Sequence, residues 1–215
     1  ELYAPPKKSL IPFVYVIPKK FKYGPYGSNK TWVDFGNWIY ELNKSLDILT
    51  ESEKRIINKL LEGIDDDKEK IQILYSHLQE NCRYINVAID IGRLKPYPAM
   101  YVCNNRYGDC KALTNYMKAI LKYAGIKSYY SLVYAGDKIN KIIPEFPSNQ
   151  FNHVILFVPL QKDTIWLECT NSEIPAGYIG TFTQGRYALV VDKDKSKLIK
   201  TPELTMNKVM EKRHV

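Results

Sequence analysis

Between Phe151 and Thr170 the chain carries two extended runs with only a short polar break between them. Phe151-Asn152-His153-Val154-Ile155-Leu156-Phe157-Val158 is almost continuously apolar, Gln161-Lys162-Asp163 follows, and Thr164-Ile165-Trp166-Leu167-Glu168-Cys169-Thr170 completes the pattern. Two strands joined this way read as an antiparallel hairpin. A histidine in so apolar a strand is either a satisfied core residue or a functional one. Adjacent antiparallel strands bring His153 and Glu168 within reach if both side chains share a face. A carboxylate in an apolar strand is costly unless paired. Cys169 follows Glu168 and so points to the opposite face.

The third unusual group is Cys110. It stands in Tyr107-Gly108-Asp109-Cys110-Lys111, ahead of Ala112, Leu113, Tyr116, Met117, Ile120, Leu121 and Ala124 at helical spacing, with Gly125-Ile126 as the stop. Asp109 suits the N-cap, so Cys110 falls in the first turn. Free N–H groups and the macrodipole there favour an anion, which is what a nucleophilic thiol must become. Gly108 leaves room for a substrate backbone to approach. The nucleophile needs a base. Of the three histidines, His77 lies on an earlier helix at a surface or packing position, and His214 lies in a charged tail. That leaves His153. In the joint reading Cys110 attacks, His153 takes its proton and Glu168 orients the imidazole. The backbone N–H of Cys110 is a natural oxyanion donor, with the side chain of Gln79 or Tyr84 as a second; Gln79 equally suits a surface position. An exposed Lys111 would add little to the thiolate.

Composition removes several alternatives. Apolar residues are 45% and charged residues 25%, as in a globular chain. No run approaches the ~18 apolar residues of a membrane span. A basic-then-apolar leader is missing, and the abrupt opening on strand-like material reads as the middle of a longer polypeptide. Four cysteines are too few for a disulfide scaffold, although Cys82, Cys103 and Cys169 could include one bridge. The only close pair, Cys103 and Cys110, is not a paired C-x-x-C zinc arrangement. Asp65-Asp66-Asp67 lacks the alternating ligands, glycine and distal glutamate of a calcium loop, and is better placed at a helix start. Neither a metal nor a cofactor is expected. The net charge of +8 comes from scattered lysines without a basic run or an aromatic RNA-binding motif, so nucleic acid is not an expected partner.

Along the chain, Pro5, Pro6, Pro12, Pro18 and Pro25 exclude a helix in residues 1–27, where Phe13–Ile17 could form an edge strand. Helical spacing covers Thr31–Leu49. Thr50 and Glu53 make a capping box for the next helix, which Gly63 stops. A further helix runs over about 67–81. Arg83–Val87 is extended, Leu94–Val102 with Pro96 and Pro98 is a loop, and Pro175–Gly185 is a long loop. Arg186–Val191 and Lys197–Ile199 form a hairpin about Asp192-Lys193-Asp194. The expected organisation is an N-terminal arm (1–49), a core (50–200) and a tail (201–215).

Arg106-Tyr107-Gly108-Asp109-Cys110-Lys111, Gly125-Ile126, Phe151-Asn152-His153 and Trp166-Leu167-Glu168-Cys169-Thr170 together resemble the transglutaminase-like superfamily over roughly residues 50–192. They are closest to its bacterial branch embedded in larger multidomain chains. The resemblance implies an α+β, papain-like fold, with the cysteine at a helix N-terminus packed on an antiparallel sheet that carries histidine and acid. It implies Cys110, His153 and Glu168 as the triad, and a cleft bordered by Tyr107, Asp109, Tyr178, Phe182 and Arg186. Two departures stand out: Glu168 where the family usually has Asp, and Ala112 where many relatives have Asp. The implied activity is thiol-dependent acyl transfer on amide bonds, as a peptidase, amidase or cross-linker, acting on protein or peptide without a cofactor. The alternatives are a weak or inactive module that binds peptide or glycan, and a spacer between flanking domains. Export to the periplasm or cell envelope is implied by resemblance alone.

Overall fold

The computed structural model describes residues 12, 14–86, 94–136 and 142–204. Residues 14–16 are exposed, Ile17 is half-buried, and none forms a strand; Phe13 lies outside the described residues. The prolines on either side keep this stretch out of a ladder. The first strands are a small antiparallel pair, β1 (Lys20–Lys22) and β2 (Tyr26–Ser28), turned at Gly24 with φ +66°. Thr31 caps α1 (Trp32–Asn43) by accepting from the Asp34 N–H. The helix ends at Asn43, short of the expected Leu49, and Ser45 follows at φ 62°.

Thr50 caps α2 (Glu51–Leu60), and Asp66 caps α3 (Asp67–Asn81). Only half of the expected capping box forms. Thr50 Oγ1 accepts from the Glu53 N–H, but the Glu53 carboxylate turns into the interior. After β3 (Arg83–Tyr84), the stretch expected to be a loop contains α4 (Ala99–Asn105), with Pro98 at its N-cap. Pro96 and Pro98 forbid helix only up to their own positions, and Ala99 onward is free to coil. Val87 lies outside the described residues. β4 (Tyr107–Gly108) pairs with β3 in parallel, Tyr84 against Gly108.

α5 (Cys110–Tyr123) is the central helix, buried along nearly its whole length. β5 (Tyr129–Val133), β6 (His153–Pro159), β7 (Thr164–Leu167), the short α6 (Gly180–Thr183), β8 (Tyr187–Val190) and β9 (Lys197–Lys200) follow. They build one antiparallel sheet in the order β7-β6-β5-β8-β9. The two hairpins expected from sequence are its flanks. β5, the strand that joins them, is central and was not expected. On one face, α3 and α5 pack Leu74, Leu78, Leu113, Met117 and Ile120 against Leu156, Val158 and Leu167. On the same face, α1 lays Phe35, Trp38 and Ile39 against Tyr130, Leu132 and Leu189. A Cβ on Gly36 would collide with the Ser196 side chain, so the α1 backbone packs directly onto that side chain in the β8–β9 turn. The other face carries Val133, Ile155, Trp166, Ala188 and Val190 under Ile179. The fold is α+β.

Candidate active site

Cys110 is the first residue of α5, and Asp109 makes the turn into the helix. One Asp109 oxygen accepts from the Ala112 N–H at 2.9 Å, and the other pairs with Lys111 Nζ. Asp109 is therefore buried and spent on the cap, so it does not border the cleft as expected. Gly108 is needed for packing: a Cβ there would lie 2.8 Å from that of Ala112. Parallel pairing with β3, reinforced by the Ile85 N–H to Gly108 carbonyl bond at 2.9 Å, fixes the backbone just before the thiol.

His153 opens β6. Asn152, beside it, makes two hydrogen bonds to the Ala135 backbone, donating to its carbonyl at 2.9 Å and accepting from its N–H at 2.6 Å, which pins the strand end. Leu156 pairs with Leu167, so Glu168 falls across from Ile155, and His153 is its diagonal neighbour on the same face. His153 Nε2 lies 3.0 and 2.9 Å from the two Glu168 oxygens. Thr170 completes the carboxylate's shell: its hydroxyl donates at 2.6 Å and its N–H at 3.2 Å to the same oxygen. Tyr75 donates to the Glu168 carbonyl at 2.7 Å. The Phe182 ring stands edge-on to the imidazole, centroids 5.8 Å apart.

Burial alone would lower the basicity of His153. Hydrogen bonding to the Cys110 side chain and to Glu168 outweighs it and pushes the imidazole up to about 9. With Nε2 committed to Glu168, Nδ1 is the nitrogen left for the sulfur. Burial would likewise raise Glu168, but the His153 and Thr170 bonds hold it below the usual carboxylate value. Cys110, Lys111, His153, Tyr84 and Asn86 line a cleft of about 640 Å³.

The other expected residues divide. Tyr84 lies on the cleft wall, half-exposed; burial and the nearby Cys110 and Asp109 raise its phenol. Gln79 is elsewhere in chemical terms. Its amide donates to the Asn171 and Ile174 carbonyls at 3.0 and 2.8 Å, so both hydrogens hold the loop after Glu168 and none remains for an oxyanion. Tyr107 accepts from the Tyr101 hydroxyl at 2.6 Å and is not among the cleft-lining residues. Tyr178 lies on the α6 loop, partly exposed, likewise outside the lining. Phe182 reaches the histidine but not the cavity wall. Arg186 is buried and donates to the Tyr134, Gly136 and Thr181 carbonyls, a loop tie instead of a substrate contact. All four cysteines are free thiols, so the bridge allowed by the sequence does not form. Burial pushes Cys82 up to about 11 and raises Cys103 and Cys169.

Sequence reasoning missed two groups. The first is Thr170, whose hydroxyl two residues after an acid is itself a local signal. Glu53 joins His77 (2.8 Å), Arg106 (2.7 Å) and the Tyr116 hydroxyl in a buried cluster. His77 is thus buried and bonded. Only the tertiary structure could reveal this.

Among the described residues, no group of three or more His, Cys, Asp or Glu is placed to hold a metal ion, and no helix is long and apolar enough to cross a membrane.

A helix-borne thiol beside a strand-borne imidazole and carboxylate defines a papain-like class of fold. The profile of the transglutaminase-like superfamily matches residues 54–171, more than half of the chain, and the chain belongs to that superfamily. Among solved structures it is similar to a candidate protease from Parabacteroides distasonis, with 17% identity and a TM-score of 0.55 over 90% of this chain and 37% of that one. It is also similar to a candidate cysteine protease from Cytophaga hutchinsonii, with 14% identity and a TM-score of 0.43 over 64% of this chain and 46% of that one. This chain spans less than half the length of either. No curated protein matches it.

Proposed function

We infer that the protein carries out thiol-dependent acyl transfer on amide bonds through Cys110, His153 and Glu168. The observation that carries this reading is the buried imidazole shared between the Glu168 carboxylate and the Cys110 side chain, at the wall of an open cleft. Glu168 binds Nε2 and stabilises the imidazolium, which leaves Nδ1 to exchange a proton with the sulfur. The helix N-terminus favours the resulting thiolate.

The thiolate adds to the amide carbonyl carbon, and the negative charge on oxygen is met by the Cys110 N–H and, from the cleft wall, by the Tyr84 hydroxyl. As the C–N bond breaks, the imidazolium gives its proton to the departing amine, and a thioester remains on Cys110. His153, now neutral, takes a proton from water or an acceptor amine as that group adds. Loss of the thiolate then returns the Cys110–His153 pair. Water gives a peptidase or amidase; a lysine amine gives a cross-link. The substrate class is protein or peptide, in keeping with the similar candidate protease from Parabacteroides distasonis. As in the resemblance, the domain would work within a longer exported polypeptide.

Iodoacetamide labelling with peptide mapping tests the reading. Cys110 should alkylate faster than Cys82, Cys103 and Cys169, which burial keeps as neutral thiols. His153→Ala should slow Cys110 alone. Equal rates at all four thiols would overturn the enzymatic reading in favour of a binding module.

A further inference from the structure

Next to the cleft lies a second cavity of about 500 Å³, and the two share Tyr23, Leu94 and Asn149. Its floor is aromatic. Trp38 of α1 receives the Phe21 ring edge-on at 4.9 Å and the Phe35 ring at 5.5 Å. Its outer wall is formed by Tyr15 and Phe146, rings 6.1 Å apart. Three separate stretches of chain, the N-terminal arm, α1 and the 143–150 segment, thus converge on one apolar space that opens into the site.

The polar side chains around it are turned onto its own walls. Asn29 donates to the Pro18 carbonyl at 2.8 Å, and Ser148 to that of Phe146 at 3.1 Å. Gln150 donates to the Ile143 and Phe146 carbonyls and accepts from the Ile143 N–H. Asn149 accepts from the Phe151 N–H at 3.4 Å. A sugar would need directional polar partners in addition to an aromatic face, and the donors of Asn29, Ser148 and Gln150 are turned onto the walls instead. The remaining surface suits an apolar side chain.

We propose that this cavity holds a large apolar side chain, aromatic or branched, of a peptide whose reacting carbonyl lies over Cys110. It would thereby impose a sequence preference close to the reacting residue. The placement of the carbonyl rests on the catalytic reading; the pocket itself does not. Such a side chain gives about 10- to 100-fold in affinity over alanine.

The test is binding of a positional-scanning hexapeptide library to the Cys110→Ala protein, which requires no turnover. At one position Phe, Leu or Ile should bind about 10- to 100-fold tighter than Ala or Glu. Phe146→Asp should erase that gap. Should this variant fail to fold, Ile143→Asp at the exposed rim serves in its place. A flat profile at every position, or a preference that survives the Asp variant, would overturn the pocket. So would tight binding of a β-linked amino-sugar oligosaccharide that Phe146→Asp abolishes while apolar peptides show no preference. Peptides that bind with the expected preference but never acylate wild-type Cys110 would support the pocket and overturn the catalytic reading.

Discussion

Among the described residues there are two buried Glu–His pairs, and they do different things. At the cleft, Glu168 holds one nitrogen of His153 and leaves the other to a thiol. In the interior, Glu53 holds His77 Nε2 while Asn81 lies 3.2 Å from Nδ1, so both ring nitrogens are occupied. Glu53 is 0% exposed and also receives Arg106 and Tyr116. Burial would raise this carboxyl, yet the hydrogen bonds from His77, Tyr116 and Arg106 hold it at about 2. A buried carboxylate–imidazole contact is therefore no signature of chemistry by itself. What separates the two is a free ring nitrogen, a nucleophile to meet it and a cavity beyond. The interior cluster instead ties α2, α3 and α5 to Arg106, which caps α4 in the left-handed region (φ 57°, ψ 30°) and leads into β4 and Cys110. It shapes the approach to the thiol without touching the site.

That contrast is broken most sharply by exchanging the defects. His153→Ala should cost about 10²–10⁴-fold in amide turnover or Cys110 acylation per folded molecule. His77→Gln should leave the rate per folded molecule close to wild type. A comparable kinetic loss in both variants would erase the distinction. For stability, Glu53→Ala strands Arg106 and the Tyr116 hydroxyl. Arg106 is partly solvated, which softens the penalty, so the expected loss is about 2–4 kcal/mol in urea unfolding.

The pH dependence separates the pairs further. His153 is raised from 6.5 to about 9. Its contribution to stability is whole below pH 6.5 and fades as pH rises through about 9. Glu168 is lowered from 4.5, so its contribution is whole above pH 4.5 and lost as pH falls below that. The stability gap between wild type and His153→Gln should therefore be widest between about pH 5 and 6.5 and narrow towards about pH 10. Urea unfolding of both proteins across that range checks it; a gap that widens with rising pH would reverse the sign.

How much of this was legible in the sequence follows the range of the interactions. Asp109 and Cys110 at the head of α5, and His153 and Glu168 on one hairpin, could be placed because caps, helical spacing and strand pairing are local rules. β5 could not be placed by the same means. Tyr129–Val133 is buried on both faces, so no alternation marks it as a strand. α4 was hidden by Pro96 and Pro98. Glu53 misled because a capping box explained it completely within four residues, whereas its partner Arg106 lies fifty-three residues away. Gln79 misled in the opposite way. Its position near the end of α3 suited an oxyanion donor, but the carbonyls that take its hydrogens belong to a loop ninety-two and ninety-five residues on.

Thr170 gives the finest division between the clusters. Its hydroxyl stands to Glu168 as the Tyr116 hydroxyl stands to Glu53, one donor on a buried carboxylate, but only Thr170 acts on an acid whose imidazole lines the cleft. Thr170→Val keeps the shape and the backbone N–H bond and removes one donor. A single neutral-to-charged hydrogen bond contributes about 1.5–3 kcal/mol, and the remaining N–H recovers part of it. A merely structural hydroxyl would alter only the unfolding midpoint. A positioning hydroxyl should lower kcat by about 3- to 10-fold with KM nearly constant, and Thr170→Ser should restore it, because the serine hydroxyl can reach the same Glu168 oxygen. An unchanged kcat in Thr170→Val, with Tm reduced, would assign Thr170 to the fold and leave Glu168 held by His153 and the backbone alone.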